Sequence, residues 1–147
     1  MENMNPGTKS PSVIFKEYLA SVNAGNPKTV AAFFAEDGYI DAPYVESFGM
    51  ASKISGKAAI EATMRGLLQN APDFHFTSLK IILETPREVI AEYESEAVLV
   101  NGRSYKQLYV GHITIKDGKI ISHREFLNTV TFARAFLPNG LKDLATN

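Results

Sequence analysis

In the string His123-Arg124-Glu125-Phe126-Leu127-Asn128, one carboxylate stands among apolar neighbours. Residues 119–130 read as a strand, and side chains alternate between its two faces. One face carries Ile121, His123, Glu125 and Leu127; the other carries Ile120, Ser122, Arg124 and Phe126. A carboxylate on such a face is costly to bury unless it is used or paired. Burial beside aromatics raises its pKa toward neutrality and suits it to proton transfer. A salt bridge, or partial exposure at a subunit interface, is the structural alternative. His123 shares the face and could reach the same cavity, or lie at a surface. Tyr18 falls on a helical stripe with Ile14, Phe15, Leu19 and Val22. Its phenol could polarise a carbonyl or simply be a hydrogen-bonded core group. Asn128 could orient Glu125 or a ligand, or satisfy a strand end. Phe74, Phe76, Tyr105 and Tyr109 are strand aromatics that could wall an apolar cavity or fill a plain core. Asp41 shares a face with Tyr39, which leaves Ala42 pointing inward.

Other chemistries find no residues here. There is no cysteine, hence no disulfide, thiolate nucleophile or thiolate metal site. The three histidines, His75, His112 and His123, fall on three strands without ligand spacing, so no metal is expected. No nucleotide-binding glycine loop and no serine nucleophile elbow occur, and no cofactor is expected. The formal net charge of −1 offers no basic excess for phosphate backbones, so nucleic acid is not an expected partner. No apolar run approaches the ~20 residues of a membrane span. The polar stretch MENMNPGTKSPS has no apolar signal region, so a cytoplasmic protein is expected.

The elements that must position these groups fit one domain of 147 residues. Residues 1–10 read as a loose lead-in, 11–136 as the domain and 137–147 as a tail. Ser10-Pro11 starts a helix, and Gly25-Asn26-Pro27 ends it and caps a second, whose apolar face is Val30, Phe33 and Phe34. A short strand follows at 39–42, then irregular chain at 44–55, then a third helix from about Gly56 to Gln69 with Ser55 as its cap. Strands are expected at 74–83, 89–100, 103–115 and 119–130. Asn101-Gly102 and Asp117-Gly118 are type I′ hairpin signals. A short closing helix fits 131–136. Glu92, Glu94 and Glu96 recur at period two and read as a solvated strand face. The result is an α+β fold, three N-terminal helices packed on a curved antiparallel sheet. Apolar residues on both faces of the last strand predict that a second copy covers one of them, a homodimer.

Several strings, taken in order, resemble the NTF2-like superfamily and its SnoaL-like and ketosteroid isomerase-like branch. They are YLASVNAGN at 18–26, FFAEDGYIDAP at 33–43, Gly56-Lys57, and DGKIISHREFLN at 117–128. The likeness is strongest to phenazine biosynthesis A/B-like proteins, through Pro72-Asp73-Phe74 and Arg124 to Asn128. The resemblance implies a cone-shaped domain around a hydrophobic pocket, with Glu125 as an acid/base residue. Thr63 stands where that family's pocket histidine would fall. Against the steroid isomerases, Tyr18 matches the oxyanion tyrosine, Ala42 replaces the general-base aspartate, and Gly111 replaces the second oxyanion donor. The expected function is cofactor-independent acid/base chemistry on a small apolar or aromatic organic molecule: isomerisation, cyclisation, dehydration or condensation. A non-catalytic ligand-binding or dimerisation module is the alternative.

Overall fold

The computed structural model describes residues 9–144. Most of the expected lead-in and the last three residues of the tail lie outside the described residues. Helix α1 is Pro11–Asn23, α2 Pro27–Ala32, α3 Lys57–Asn70 and α4 Thr129–Phe136. The strands are β1 Phe34–Asp41, β2 Lys53–Ser55, β3 His75–Glu84, β4 Glu88–Val98, β5 Ser104–Lys116 and β6 Lys119–Leu127. Short 3₁₀ turns occupy Pro43–Phe48 and Gly140–Leu144.

The helix starts follow their sequence signals. Ser10 Oγ accepts from the Val13 amide, with Pro11 in the first turn. Asn26 Oδ1 accepts from the Thr29 amide, with Pro27 behind it. Each satisfies an amide that the helix leaves orphaned. Helix α3 starts instead at Gly56, which makes no side-chain cap bond.

The six strands form one mixed, curved sheet in the order β2-β1-β6-β5-β4-β3. Strands β3 to β6 are the expected antiparallel meander. The sheet is larger than four strands and not wholly antiparallel, because β1 pairs parallel with β6. Phe34, expected on the second helix, is instead the first residue of β1, and β2 lies in the segment expected to be irregular. A helix of six residues has little stability of its own, and the Phe34 side chain is fully buried against the core. The Asp117-Gly118 turn has both residues at positive φ, as type I′ requires. The Asn101-Gly102 turn differs. Only Gly102 is at positive φ, and its amide donates to the Leu99 carbonyl. That is a type I turn closed by a left-handed glycine, an alternative three-residue hairpin loop.

Helix α1 crosses the inner face of the sheet, where Phe15, Tyr18, Leu19 and Val22 are buried with Val89, Ala91, Tyr93 and Ile113. Strands β4 and β5 alternate cleanly between buried and exposed, so Glu92, Glu94 and Glu96 lie on the outer, exposed face. The last strand ends three residues earlier than expected. Asn128 caps α4 by accepting from the Thr131 amide, and its backbone is held on both sides by the buried Gln107 amide. The Arg103 guanidinium secures the other end of α4, donating to the carbonyls of Ala135, Leu137 and Pro138. A cation there also complements the negative end of the helix dipole.

Arg103→Ala should leave those carbonyls short of a donor, costing about 2 kcal/mol and lowering Tm by about 4–8 °C in calorimetry. An unchanged Tm would show that α4 docks through Phe132 and Phe136 alone.

Candidate active site

The inner sheet face, α1, α3 and α4 border a cavity of about 420 Å³. Its walls are mainly apolar, including Val22, Met64, Leu67, Phe74, Phe76 and Phe132. Tyr18 reaches it from α1, Tyr109 from β5, and His123 and Glu125 from β6. Period-two alternation sets the last pair on one face, opposite Ile113 and Gly111 of β5 respectively.

Gly111 is there because of space. A Cβ at this position would lie 2.7 Å from the Tyr93 hydroxyl oxygen and 2.8 Å from its ring. The Tyr93 phenol thus lies across Gly111 and meets β6. Its hydroxyl donates to Glu125 Oε1 at 2.6 Å and also lies 2.6 Å from His123 Nε2. On the other side of the imidazole, Nδ1 is 3.1 Å from the Tyr18 hydroxyl. Phe15 packs edge-on against both Tyr93 and His123 and seals the back of the group. The Tyr93 ring is stacked on Tyr109, whose hydroxyl bonds Ser95 Oγ at 2.7 Å.

Burial pushes the Glu125 carboxyl up to about 7, opposed only in part by the Tyr93 hydrogen bond. Burial also drives His123 down to about 3, so its imidazole is neutral at ordinary pH. Tyr18 and Tyr93 are raised, first by burial and then by the Glu125 charge. Tyr109 is raised by burial first, and Tyr105 is pushed up to about 12 by the same cause. Among the described residues, no lysine or arginine lines the cavity. Arg124, next to Glu125 in sequence, faces the outer side of the sheet and sits 3.4 Å from Asp41. Glu125 therefore has no cationic partner in its own chain among the described residues.

These bonds fix the proton positions when Glu125 is ionised. Tyr93 spends its one hydrogen on Glu125, so His123 must donate from Nε2 to the Tyr93 oxygen. Neutral Nδ1 is then an acceptor, and Tyr18 donates to it. No fully buried polar side-chain atom among the described residues lacks a partner. Glu125 Oε2 has none and is therefore reached from the cavity. Such a carboxylate can take a proton from a bound molecule.

Of the residues singled out from sequence, Tyr18, Ala42, Thr63, Phe74, Tyr109, His123 and Glu125 all line this cavity. Thr63 does so from an exposed position on α3. Asn128 is not brought there; it is exposed and caps α4. Asp41 lies on the outer face with Tyr39, and Ala42 faces the cavity. Tyr93 is the residue that sequence reasoning passed over. Its signal was its place between Glu92 and Glu94: if these face out, Tyr93 faces in. Among the described residues, no group of three or more His, Asp or Glu could hold a metal ion, and no helix is long and apolar enough to cross a membrane.

A family model described as a SnoaL-like domain matches residues 15–123, a span that includes Tyr18, Tyr93 and His123. The uncharacterized protein YesE of Bacillus subtilis (strain 168) is 25% identical over 123 residues, covering 82% of this chain and 83% of its own. The crystal structure of a proposed isomerase from Bacillus subtilis superposes with a TM-score of 0.76 at 23% identity, over 85% of this chain and 91% of that one. A phenazine biosynthesis-related protein from Pseudomonas aeruginosa gives 0.65 at 21% identity, over 82% and 90%. At these identities the structures share the fold.

The buried carboxyl makes stability depend on pH. Its folded pKa is raised from 4.5 to about 7, so its contribution is full below about pH 4.5 and is lost as pH rises through 7. His123 acts oppositely, contributing fully above pH 6.5 and losing stability as pH falls toward 3. Glu125→Gln removes the first effect only. The variant should melt several degrees above the parent beyond pH 7, with the gap closing in acid. A gap that does not change with pH would mean that the carboxyl ionises freely.

Proposed function

The chain belongs to the SnoaL-like domain family, and from there we propose that it is a cofactor-independent enzyme moving a proton on a small, partly apolar organic molecule. The observation that carries this reading is Glu125: a carboxyl with one oxygen open to an apolar cavity, no cation beside it, and a pKa raised to about 7. A general base works best with a pKa near the working pH. The mostly apolar walls exclude water and fit a ligand with more carbon than charge. Glu125 takes a proton from carbon next to a carbonyl, and the phenols and imidazole of the site steady the charge that moves onto oxygen. Isomerisation, cyclisation and dehydration share that step.

The test uses 2-tetralone, an apolar ketone with an acidic C–H, in deuterated water. The protein should speed exchange of that C–H, with a rate rising through about pH 7. Glu125→Gln should slow exchange by about 10²-fold or more while still binding the ketone. Binding without accelerated exchange in the parent would favour a ligand-binding module.

The sheet's outer face supports the homodimer. Leu108 and Val110 are exposed there at 61% and 45%, beside Phe126, which Tyr44 meets edge-on. A second copy packed on this face would remove that apolar surface from water. The pair Leu108→Lys and Val110→Lys should convert a dimer to a monomer in light scattering without loss of helix signal. A monomeric parent at high concentration would remove this part of the proposal.

A further inference from the structure

The four groups joined across the back of the cavity have Glu125 and Tyr18 at their ends and Tyr93 and His123 between them. Tyr93 and His123 are 1% and 2% exposed, so neither exchanges its proton directly with bulk water. Each middle group is amphoteric: a phenol gives one hydrogen and accepts another, and a neutral imidazole holds one hydrogen on either nitrogen. Such a chain has two complete arrangements. With Glu125 ionised, hydrogens point toward it: Tyr18 O–H to Nδ1, Nε2–H to the Tyr93 oxygen, Tyr93 O–H to Oε1. In the other, all point away: Oε1–H to the Tyr93 oxygen, Tyr93 O–H to Nε2, and Nδ1–H to the Tyr18 oxygen. The Tyr18 hydrogen then has no acceptor within the chain and faces the cavity.

We infer that Tyr18, His123, Tyr93 and Glu125 form a proton relay whose two arrangements interconvert by passing one proton between Tyr18 and Glu125, so that a protonated Glu125 goes with a hydrogen presented to the cavity at Tyr18. Three features carry this. The two links at Tyr93 are short, 2.6 Å each. A carboxylic acid is a stronger donor than a phenol, and imidazole nitrogen is a strong acceptor, so the reversed arrangement sets the strongest donor and the strongest acceptor on either side of the Tyr93 hydroxyl. The buried imidazole stays uncharged, hence it passes a proton only by gaining on one nitrogen and losing from the other.

The chemical use of the relay rests on the acid/base reading of Glu125. With Glu125 protonated, Tyr18 gives its hydrogen to the substrate's carbonyl oxygen and receives one from Nδ1, while Nε2 is refilled from Tyr93 and Tyr93 from Glu125. The carboxylate so formed takes the proton from carbon on Oε2, the C–H electron pair becomes the C=C bond, and the substrate is now its enol. The ring hydrogen then sits on Nε2. When the enol hydrogen returns through Tyr18, each link passes one hydrogen back toward Oε1 while Oε2 gives its proton to carbon, and the starting arrangement is restored. No outside acid is consumed. The relay therefore selects ligands with an acidic C–H at one end of the cavity and a carbonyl oxygen at Tyr18. Tyr93 touches no ligand in this scheme; it is a positioning and relay residue. The ionisable groups facing Glu125 are Tyr18 from α1, Tyr93 from β4, Tyr105 and Tyr109 from β5, and His123 from β6.

The relay can be read without turnover, from the histidine ring nitrogens by NMR of the full chain labelled with ¹⁵N-histidine. His75→Gln and His112→Gln variants identify the His123 signals. Well above the Glu125 midpoint of about 7, the proton should sit on Nε2; well below it, on Nδ1, with no doubly protonated ring between. Nε2–H at both ends, or an imidazolium, would overturn the relay. In Tyr93→Phe the tautomer should no longer follow pH, and a switch that persists there would also overturn it. If that variant fails to fold, Glu125→Gln serves instead and should give a tautomer independent of pH. Ketone exchange that needs Glu125, without a tautomer switch, refutes the relay alone. A tautomer switch without exchange refutes the catalytic reading alone.

Discussion

The structure turns on a carboxyl held in an apolar cavity without a cation. Glu125 is tolerated because Tyr93 donates to one of its oxygens and the cavity reaches the other. Burial outweighs that hydrogen bond, and the acid is kept neutral until about pH 7. The same burial keeps His123 neutral. A charged imidazole 3.4 Å away would have formed an ion pair and drawn the carboxyl back toward ordinary acidity. Two neutral groups joined through a phenol leave a base whose strength suits neutral water.

That arrangement depends on small residues as much as on polar ones. Ala91 and Gly111 are register partners on the inner face of β4 and β5. The missing side chain at Gly111 opens the space across which the Tyr93 ring reaches β6. Phe15 on α1 closes the back of the network, and α4, held by Gln107 and Arg103, brings Phe132 and Phe136 over the cavity. Strand β6 binds the whole together. It pairs antiparallel with β5 and parallel with β1, so its inner residues look toward the helices from the middle of the sheet.

Much of this could be read along the chain wherever the signal was local. Period-two alternation put His123 and Glu125 on one face, helical spacing put Tyr18 on the buried stripe of α1, and caps marked α1 and α2. What escaped depended on partners distant in sequence. Nothing near Phe34 announces a parallel pairing with β6, some eighty residues on, so helical spacing claims the start of β1 while its end at 39–41 reads as strand. Thr129 and Val130 favour strands by their branching, so the closing helix, expected from 131, starts two residues earlier, where Asn128 caps it. Tyr93 was hidden among three exposed glutamates. Its role appears only when register places it diagonally from Gly111, which pairs with Ala91 on one side and Glu125 on the other.

The central claim is that Glu125 stays protonated to near neutrality. Infrared difference spectra of the parent against Glu125→Gln, followed across pH, read this carboxyl alone. A protonated-carboxyl carbonyl band that disappears with a midpoint near pH 7 is the predicted result. A band already gone near 4.5, the ordinary value, would show a solvated carboxylate and contradict the account.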